Sequence, residues 1–265
     1  MTSEQAALVR LNKYIADSGL CSRRKADDLI AQGKVMVNGK RVSEAGSKIN
    51  PQADRVSVEG KLLAPVMRKI YIALHKPKGV VTTRNDPQKR KTIYDCLPEA
   101  VHSVDPAGRL DRDSTGLLIL SSDGDLIYRI THPKYHLEKT YHVTLNKQIT
   151  EKHVQALYAG VMLSPENKKA QMDKIEALGE NRYRMVLITG YNRQIRRSLE
   201  AMGYRVKTLK RVAFGPIKLG DLPPGKHRML TPAEIKALGG GASSEQPPKN
   251  TGKKYMPKKP LKTRR

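Results

Sequence analysis

The sequence predicts an α+β protein, with a small helix–helix–hairpin module followed by a larger domain on a mainly antiparallel mixed sheet. Two observations support this. Near the start of the 265-residue chain, apolar residues recur at helical spacing and lead into a hairpin signal. Further along, short strands are interspersed with helices, which is typical of an antiparallel sheet with helices packed on it. Hydrophobic residues make up 38% of the chain, enough for a buried core.

The first segment, residues 9–60, begins with two predicted helices. Ser22 is placed to cap the second helix, and Gly33 is placed to end it in a left-handed conformation. The apolar residues with helical spacing are Leu11, Tyr14 and Ile15 in the first helix and Ala26, Leu29 and Ile30 in the second. A hairpin follows at residues 35–42, because Asn38-Gly39 between β-formers is a strong two-residue turn signal. Val56 and Val58 indicate one more short strand.

The second helix has an unusual first turn, because Arg23, Arg24 and Lys25 all lie in it. Cations there oppose the helix dipole, at a cost on the order of 0.3–1 kcal/mol each. An ordinary solvated basic face is the alternative interpretation. Free N–H groups at a helix N-terminus are already oriented toward an anion, so we favour phosphate binding.

The larger segment, residues 70–238, is predicted to alternate strands and helices after a linker at residues 61–69. Tyr141, Val143 and Leu145 should share one side of a central strand. The predicted strands are 70–74, 117–120, 139–145 and 183–188, and the predicted helices are 125–130, 151–159 and 194–202.

Both ends of the chain differ in composition from these two segments. Residues 1–8 are expected to be a flexible start. Residues 239–265 follow a glycine run and contain almost no apolar side chains, so we expect a disordered basic tail. Its charged residues are Lys249, Lys253, Lys254, Lys258, Lys259, Lys262, Arg264 and Arg265 against Glu245.

The formal charge of +25 indicates a polyanionic partner. Nucleic acid is the usual one, because each neutralised phosphate releases counterions. A membrane surface would require a basic helix with a broad apolar face or a long apolar run, and the longest apolar stretches are too short to span a bilayer.

The cysteine and histidine content argues against several kinds of site. Cys21 and Cys96 are the only cysteines, so a disulfide framework and a cysteine-rich zinc site are excluded. His132 and His136 flank Pro133 and are expected in a loop. No secretory signal opens the sequence, so a reduced cytoplasm is expected. No metal or nucleotide motif is present, and neither a metal nor a small-molecule cofactor is expected.

Three motifs in the larger segment are candidates for chemistry: residues 108–116, 138–141 and 190–197. Each has an ordinary structural interpretation when taken alone. The first could be a polar turn, the second a core tyrosine on a strand, and the third a helix start with a basic face. Their joint presence in this order favours a functional site.

The first segment resembles an S4 RNA-binding domain. The matching residues are 10–15 (RLNKYI), Gly19, 22–24 (SRR), Gly33 and 37–39 (VNG). S4 domains occur in several unrelated proteins, so this resemblance implies RNA as ligand and no particular reaction.

The larger segment resembles the RsuA family of pseudouridine synthases, the RsuA/RluB/RluE/RluF group that acts on ribosomal RNA. Besides the three motifs, residues 75–79 (HKPKG) resemble the family's entry motif, and Arg211 with Leu230-Thr231 fits its closing segment. The resemblance covers nearly all of the chain from Val9 to Leu238. It implies a pseudouridine-synthase domain and isomerisation of a uridine without a cofactor.

The resemblance also assigns roles to individual residues. Asp111 matches the catalytic carboxylate, Tyr141 the tyrosine that packs on the target base, and Arg196 the basic residue that pairs with the aspartate. Arg109 matches the arginine that fills the gap left by the extracted base. The other residues expected to bind RNA are Arg10, Lys13, Arg23, Arg24, Lys25, Asn192, Arg193 and Arg197.

The roles are chemically reasonable, because breaking and remaking a glycosidic bond requires one carboxylate near the sugar and a base extracted from its stack. A stacked aromatic ring recovers about 1–3 kcal/mol of that extraction cost. The expected substrate is 23S rRNA, with 16S rRNA and tRNA as alternatives. A non-catalytic RNA-binding assembly factor is the alternative of another class. Free RNA and a pre-ribosomal particle both stay open as substrates, and a monomer is expected.

Overall fold

The computed structural model describes residues 8–63 and 69–240. Three of the predicted segments lie mostly outside these ranges. Residues 1–7 of the N-terminal stretch, residues 64–68 of the linker and residues 241–265 of the basic tail lie outside the described residues.

The N-terminal module packs two short helices beside two small antiparallel sheets. Helix α1 spans Leu11–Asp17 and helix α2 spans Arg23–Ala31. The strands are β1 (Val9–Arg10), β2 (Val35–Val37), β3 (Lys40–Val42), β4 (Lys48–Ile49), β5 (Val56–Val58) and β6 (Lys61–Leu62). Strands β3, β2, β5 and β6 lie side by side in that order, and β1 pairs with β4. The predicted helices, hairpin and further strand are confirmed, and all six predicted apolar helix residues are buried.

Local chemistry explains where these elements begin and turn. The Ser22 hydroxyl accepts a hydrogen bond from the Lys25 backbone N–H at 3.3 Å, which caps α2. Gly33 ends the helix at φ +64°, a conformation that costs glycine little. Asn38 and Gly39 form the β2–β3 turn with φ of +50° and +79°, as a two-residue hairpin with the twist of its strands requires.

The larger domain is built on one mixed sheet. Its strands are β7 (Tyr71–Lys76), β8 (Asp105–Pro106), β9 (Thr115–Ser121), β10 (Lys139–Leu145), β13 (Lys174–Gly179), β14 (Arg182–Leu187), β15 (Val206–Phe214), β16 (Ile217–Lys218) and β17 (His227–Met229). A separate hairpin joins β11 (Val161–Leu163) to β12 (Lys168–Ala170). The main order is β13-β14-β10-β15-β9-β7-β17. Every neighbouring pair is antiparallel except β15 and β9, which confirms the mainly antiparallel mixed sheet.

Helices cover both faces of this sheet. They are α3 (Gly124–Thr131), α4 (Glu151–Ala159), α5 (Gln194–Glu200) and α6 (Pro232–Ala237). Helices α4 and α5 contribute Leu157, Ile195 and Leu199 to the larger core, whereas α3 contributes Leu126 and Ile130 to the core on the other face. None of the helices in the described ranges is long and apolar enough to cross a bilayer.

The central strands explain the apolar runs in the sequence. In β7 and β9 almost every residue is buried, because these strands lie between the two cores. Strand β10 is buried at alternate positions, with Tyr141, Val143 and Leu145 in the larger core, as predicted. Strand β15 was not predicted, because its lysines and arginine are residues that strands usually lack.

Candidate active site

An open pocket of about 590 Å³ lies beside the central strands β10, β14 and β15. Its walls also include the loop before β9 and the loop before α5. Five predicted site residues line it together, although they come from three motifs that are far apart in sequence: Arg109, Asp111, Tyr141, Asn192 and Arg193.

Asp111 lies in the loop between β8 and β9, and its side chain is 30% exposed. The nearest cation in the described part of the chain is Arg193, whose Nη1 lies 3.8 Å from the Asp111 Oδ2. Arg193 precedes α5 and has a φ of +48°, in the left-handed region that non-glycine residues seldom adopt. Such backbone conformations persist where the surroundings fix them, often at functional sites. The turn into α5 therefore places a guanidinium next to the carboxylate.

Buried Lys76 holds the loop that carries Asp111. Its Nζ donates to the carbonyl oxygens of Ser114 at 2.9 Å and Arg112 at 3.4 Å. The backbone N–H of Gly79 donates to the same Arg112 carbonyl at 2.8 Å. These bonds fix the backbone directly after Asp111, so the position of the carboxylate is set by the end of β7.

Burial has a clear electrostatic effect on Lys76, which is fully inaccessible to solvent. Removal from water lowers its pKa to about 8, although the charges of Asp111, Cys96 and Asp113 act in the opposite direction. A third bond to the carbonyl of Pro77, at 3.0 Å, completes the hydrogen bonding of the ammonium group.

Arg196 differs from its predicted role in one respect. Its Nη2 donates to the Asp113 carbonyl at 3.4 Å and its Nη1 to the Val206 carbonyl at 3.3 Å, so both arms bind backbone. No ion pair joins Arg196 to Asp111 within 4 Å, and Arg193 makes that contact instead. The side chain is only 7% exposed, and burial, with the charge of Arg193, lowers its pKa. Arg196 therefore stabilises the loop that carries Asp111 through its hydrogen bond to the Asp113 carbonyl.

Tyr141 lies in the middle of the site, on β10 between β14 and β15. Its register partners are Met185 on β14 and Arg211 on β15. The side chain is 8% exposed, and it lines the pocket while packing into the larger core. A ring held this rigidly offers a fixed surface to a planar ligand.

Three further cations line the pocket and were not assigned a site role from the sequence: Arg112, Lys139 and Arg211. Lys139 Nζ donates to the Ile188 carbonyl at 2.6 Å, and Arg211 Nε donates to the Leu117 carbonyl at 2.7 Å. Both lie over the Phe214 ring, at 5.4 and 5.1 Å from its centre. Burial, followed by the charge of Arg211, lowers the pKa of Lys139 to about 8. The pocket wall is therefore strongly positive.

The sequence contained signals for two of the cations described above, Lys139 and Lys76. Strand alternation places Lys139 on the same side of β10 as Tyr141, two residues away. Lys76 ends a strand whose first four residues are apolar or aromatic, which indicates a basic side chain at the edge of a core. Neither signal shows which backbone carbonyls the ammonium groups bind, because several of those carbonyls come from parts of the chain that are distant in sequence, at Arg112, Ser114 and Ile188.

Two residues that were expected to bind RNA form ion pairs with acidic residues of the protein. Lys13 Nζ bonds to Asp125 Oδ2 on α3 at 2.6 Å, which links the module to the larger domain. Arg197 bonds to the Glu166 carboxylate and to the Ser164 carbonyl, beside the β11–β12 hairpin. The other predicted RNA-binding residues of the module are exposed and lie outside the pocket: Arg10, Arg23, Arg24 and Lys25.

Comparison with known proteins places the chain in a family. A family described as RNA pseudouridylate synthase matches residues 70–201, and the S4 domain family matches residues 9–56. An RNA pseudouridine synthase of Aquifex aeolicus is 41% identical over 256 residues, covering 95% of this chain and 98% of the relative.

Other relatives are also named pseudouridine synthases. The dual-specificity RNA pseudouridine synthase RluF of Escherichia coli is 42% identical over 230 residues, covering 86% of this chain and 77% of the relative. Ribosomal large subunit pseudouridine synthase B of Bacillus subtilis is 36% identical over 233 residues, covering 86% of this chain and 95% of the relative. A crystal structure of a pseudouridylate synthase superposes with a TM-score of 0.64 at 34% identity, covering 87% of this chain and 99% of the other. The chain therefore belongs to the RNA pseudouridine synthases that carry an S4 domain, the family that includes RluF.

Proposed function

We propose that this enzyme converts one uridine of 23S ribosomal RNA to pseudouridine, with Asp111 as the catalytic carboxylate. The observation that carries the proposal is the convergence of Asp111, Arg193 and Tyr141 on one positively charged pocket. The name of the Bacillus subtilis relative specifies the large ribosomal subunit, which favours 23S rRNA over 16S rRNA.

The reaction breaks the bond between N1 of uracil and C1′ of ribose, then joins C5 to C1′. The proton on C5 is lost and N1 regains one, so the product is an isomer and no group is transferred. Asp111 is the one carboxylate among the described residues that line the pocket, and it would act either as a nucleophile that forms a covalent adduct or as a base that abstracts a ribose proton. In this scheme Arg193 partners the carboxylate, while Lys76 and Arg196 hold its loop in place.

Access to the reacting atoms requires the uridine to leave the base stack, at a cost of a few kcal/mol. Stacking on Tyr141 would recover about 1–3 kcal/mol of that cost. Arg109 is exposed at the pocket wall, so its side chain is free to enter the gap that the base leaves.

We further propose a division of labour along the chain. Residues 9–60 bind RNA as an S4 domain, residues 61–69 connect the two parts, and residues 70–238 perform the isomerisation. The exposed cations at the start of α2 would contact phosphates, and the basic tail, residues 239–265, would add attraction without choosing the site. We expect a cytoplasmic monomer that acts on free RNA or on a pre-ribosomal particle.

The substrate is tested by incubating the purified protein with transcribed 23S rRNA, 16S rRNA and tRNA, then mapping pseudouridine in each. One new pseudouridine in 23S rRNA is expected. Transfer RNA is included because the name of the Escherichia coli relative states dual specificity. A product in 16S rRNA or tRNA alone would refute the 23S assignment. If naked RNA gives no product, precursor subunits are tested, and no product there would favour an RNA-binding assembly factor.

A further inference from the structure

An aromatic and basic cluster lies at the mouth of the pocket, where α3 ends. We name it the rim cluster, and it consists of Tyr128, His132, Lys134 and Tyr135. The rings of Tyr128 and His132 lie 4.9 Å apart at 48°, and those of His132 and Tyr135 lie 6.4 Å apart at 80°. The Lys134 ammonium lies 5.6 Å from the centre of one tyrosine ring and 4.8 Å from the other.

Local structure builds the cluster. Tyr128 and His132 are four residues apart, so the helix brings their side chains to one face. His132 ends α3 and caps the short turn that follows, because its Nδ1 accepts the Lys134 backbone N–H at 3.3 Å. That turn brings Tyr135 back against the imidazole.

The cluster is open to solvent, unlike most aromatic rings of this protein. Tyr128 is 52% exposed, and every other tyrosine among the described residues is buried or half-buried. His132 and Lys134 are exposed as well. A solvated helix face seldom gathers three rings, because exposed aromatic surface is left without the packing that stabilises it.

The cluster is also continuous with the catalytic pocket. His132, Pro133 and His136 line the same pocket as Asp111 and Tyr141. A nucleotide seated against Tyr141 would therefore leave the adjacent part of its strand at the rim.

We propose that the rim cluster binds an unpaired base next to the target uridine, by stacking, while Lys134 contacts the phosphate chain. Extracting one base disturbs its neighbours, which exposes base faces to a nearby aromatic surface. Aromatic rings interleaved with a cation match both parts of single-stranded RNA, the bases and the backbone. This proposal rests on the proposed function, because it takes RNA as the substrate of the pocket.

The test measures binding of two fluorescent probes, a single-stranded decauridylate and a decamer of the same sugar-phosphate backbone without bases. Four proteins are compared: wild type, Tyr128→Leu/Tyr135→Leu, Tyr128→Phe/Tyr135→Phe, and Met229→Leu. Met229 is a matched control, because it is 55% exposed and lies on β17 at the far end of the sheet. Circular dichroism and thermal unfolding establish that each variant is folded.

The leucine pair should bind decauridylate about 5- to 150-fold more weakly per lost base contact, with the abasic decamer unaffected. The phenylalanine pair keeps both rings and should bind both probes within about twofold of wild type, as should Met229→Leu. If the leucine pair binds decauridylate as the control does, the proposal is overturned, and a protein partner becomes the better occupant. The measurement needs no turnover, so a failure to form pseudouridine leaves its outcome separate from that of the proposed function.

Discussion

Arg193 and Arg196 belong to the same sequence motif but make different contacts: Arg193 lies beside the Asp111 carboxylate, and Arg196 binds backbone carbonyls. Both arginines lie in the motif before and within α5, three positions apart. The motif match predicted Arg196 as the partner of Asp111. The left-handed backbone at Arg193 turns that side chain to the carboxylate instead, while Arg196 points into the protein and binds carbonyls. A pattern of residue types does not contain this backbone conformation, so the contact between Arg193 and Asp111 could not be predicted.

This difference gives a matched pair of substitutions. Arg193→Met should lower kcat by about 10- to 100-fold, with the free energy of unfolding changed by less than about 0.5 kcal/mol, because the side chain is exposed. Arg196→Met should lower kcat and also destabilise the fold by about 2–4 kcal/mol, since it leaves buried carbonyls without donors. Steady-state kinetics and urea unfolding of both variants check this. Equal stability losses would contradict the assignment.

Lys76 leads to a prediction about pH. Its pKa falls from the ordinary 10.5 to about 8 in the folded protein, so the unfolded chain binds more protons between these values. The free energy of unfolding should therefore rise with pH across this window, by up to about 1.4 kcal/mol per pH unit from this residue. Half-buried Lys139 contributes with the same sign.

The check is urea unfolding between pH 7.5 and 9.5. Lys76→Met should lose part of the rise with pH, and it should be less stable at pH 7.5 by about 1–3 kcal/mol because three hydrogen bonds to carbonyls are lost. Lys218→Met changes an exposed lysine on β16 and should keep the full rise. An unaltered pH slope in Lys76→Met would show that this lysine does not titrate in the window.

At the scale of elements, hydrophobic periodicity predicted the two N-terminal helices, helices α3, α4 and α5, and four strands of the mixed sheet, β7, β9, β10 and β14. It did not predict β8, β13, β15, β16, β17 or α6. Strand β10 and helix α4 were predicted with the observed bounds, because clear alternation marks the strand and Thr150 and Gly160 flank the helix. The N-terminal hairpin was evident from Asn38-Gly39. Strand β15 was missed, since its register against β10 and β9 depends on long-range pairing that local composition does not express. The strand matters, because it contributes Arg211 and Phe214 to the pocket.

The junction of β9 and β15 supports a prediction about the sheet. Gly116 has a φ of +107°, and a Cβ there would lie 2.2 Å from the Arg211 carbonyl oxygen. Gly116→Ala should therefore destabilise the protein by more than about 3 kcal/mol, because two backbones must separate. Gly220→Ala is the control, with φ +58° and nothing within 4 Å of the added atom, and it should cost about 1 kcal/mol. Similar losses in the two variants, measured by urea unfolding, would refute the close approach.

At the scale of the whole molecule, the excess of positive charge in both parts of the chain suits one polyanionic substrate. The cations behind the net charge of +25 include those at the exposed start of α2, in the pocket and in the basic tail. The sequence revealed this excess directly, but it did not show that Lys13 would be used to join the module to α3. Such a contact depends on how two folded units meet.

The tail offers a prediction at this scale. Deleting the residues after Gly241 removes the eight cations and one acid named above. RNA binding should weaken, and the dependence of log Kd on log salt concentration should become shallower, because fewer counterions are released. The position of the new pseudouridine should stay the same. Filter binding over a range of salt concentrations and pseudouridine mapping test these points, and a shifted modification site would show that the tail takes part in recognition.

The role proposed for Asp111 is tested by mapping pseudouridine in 23S rRNA after incubation with wild type or Asp111→Asn, which differ by one oxygen-to-nitrogen exchange in the pocket. Wild type should produce one new pseudouridine. The variant should bind the RNA with unchanged affinity and produce none over the same time. Wild-type turnover by Asp111→Asn would contradict the account.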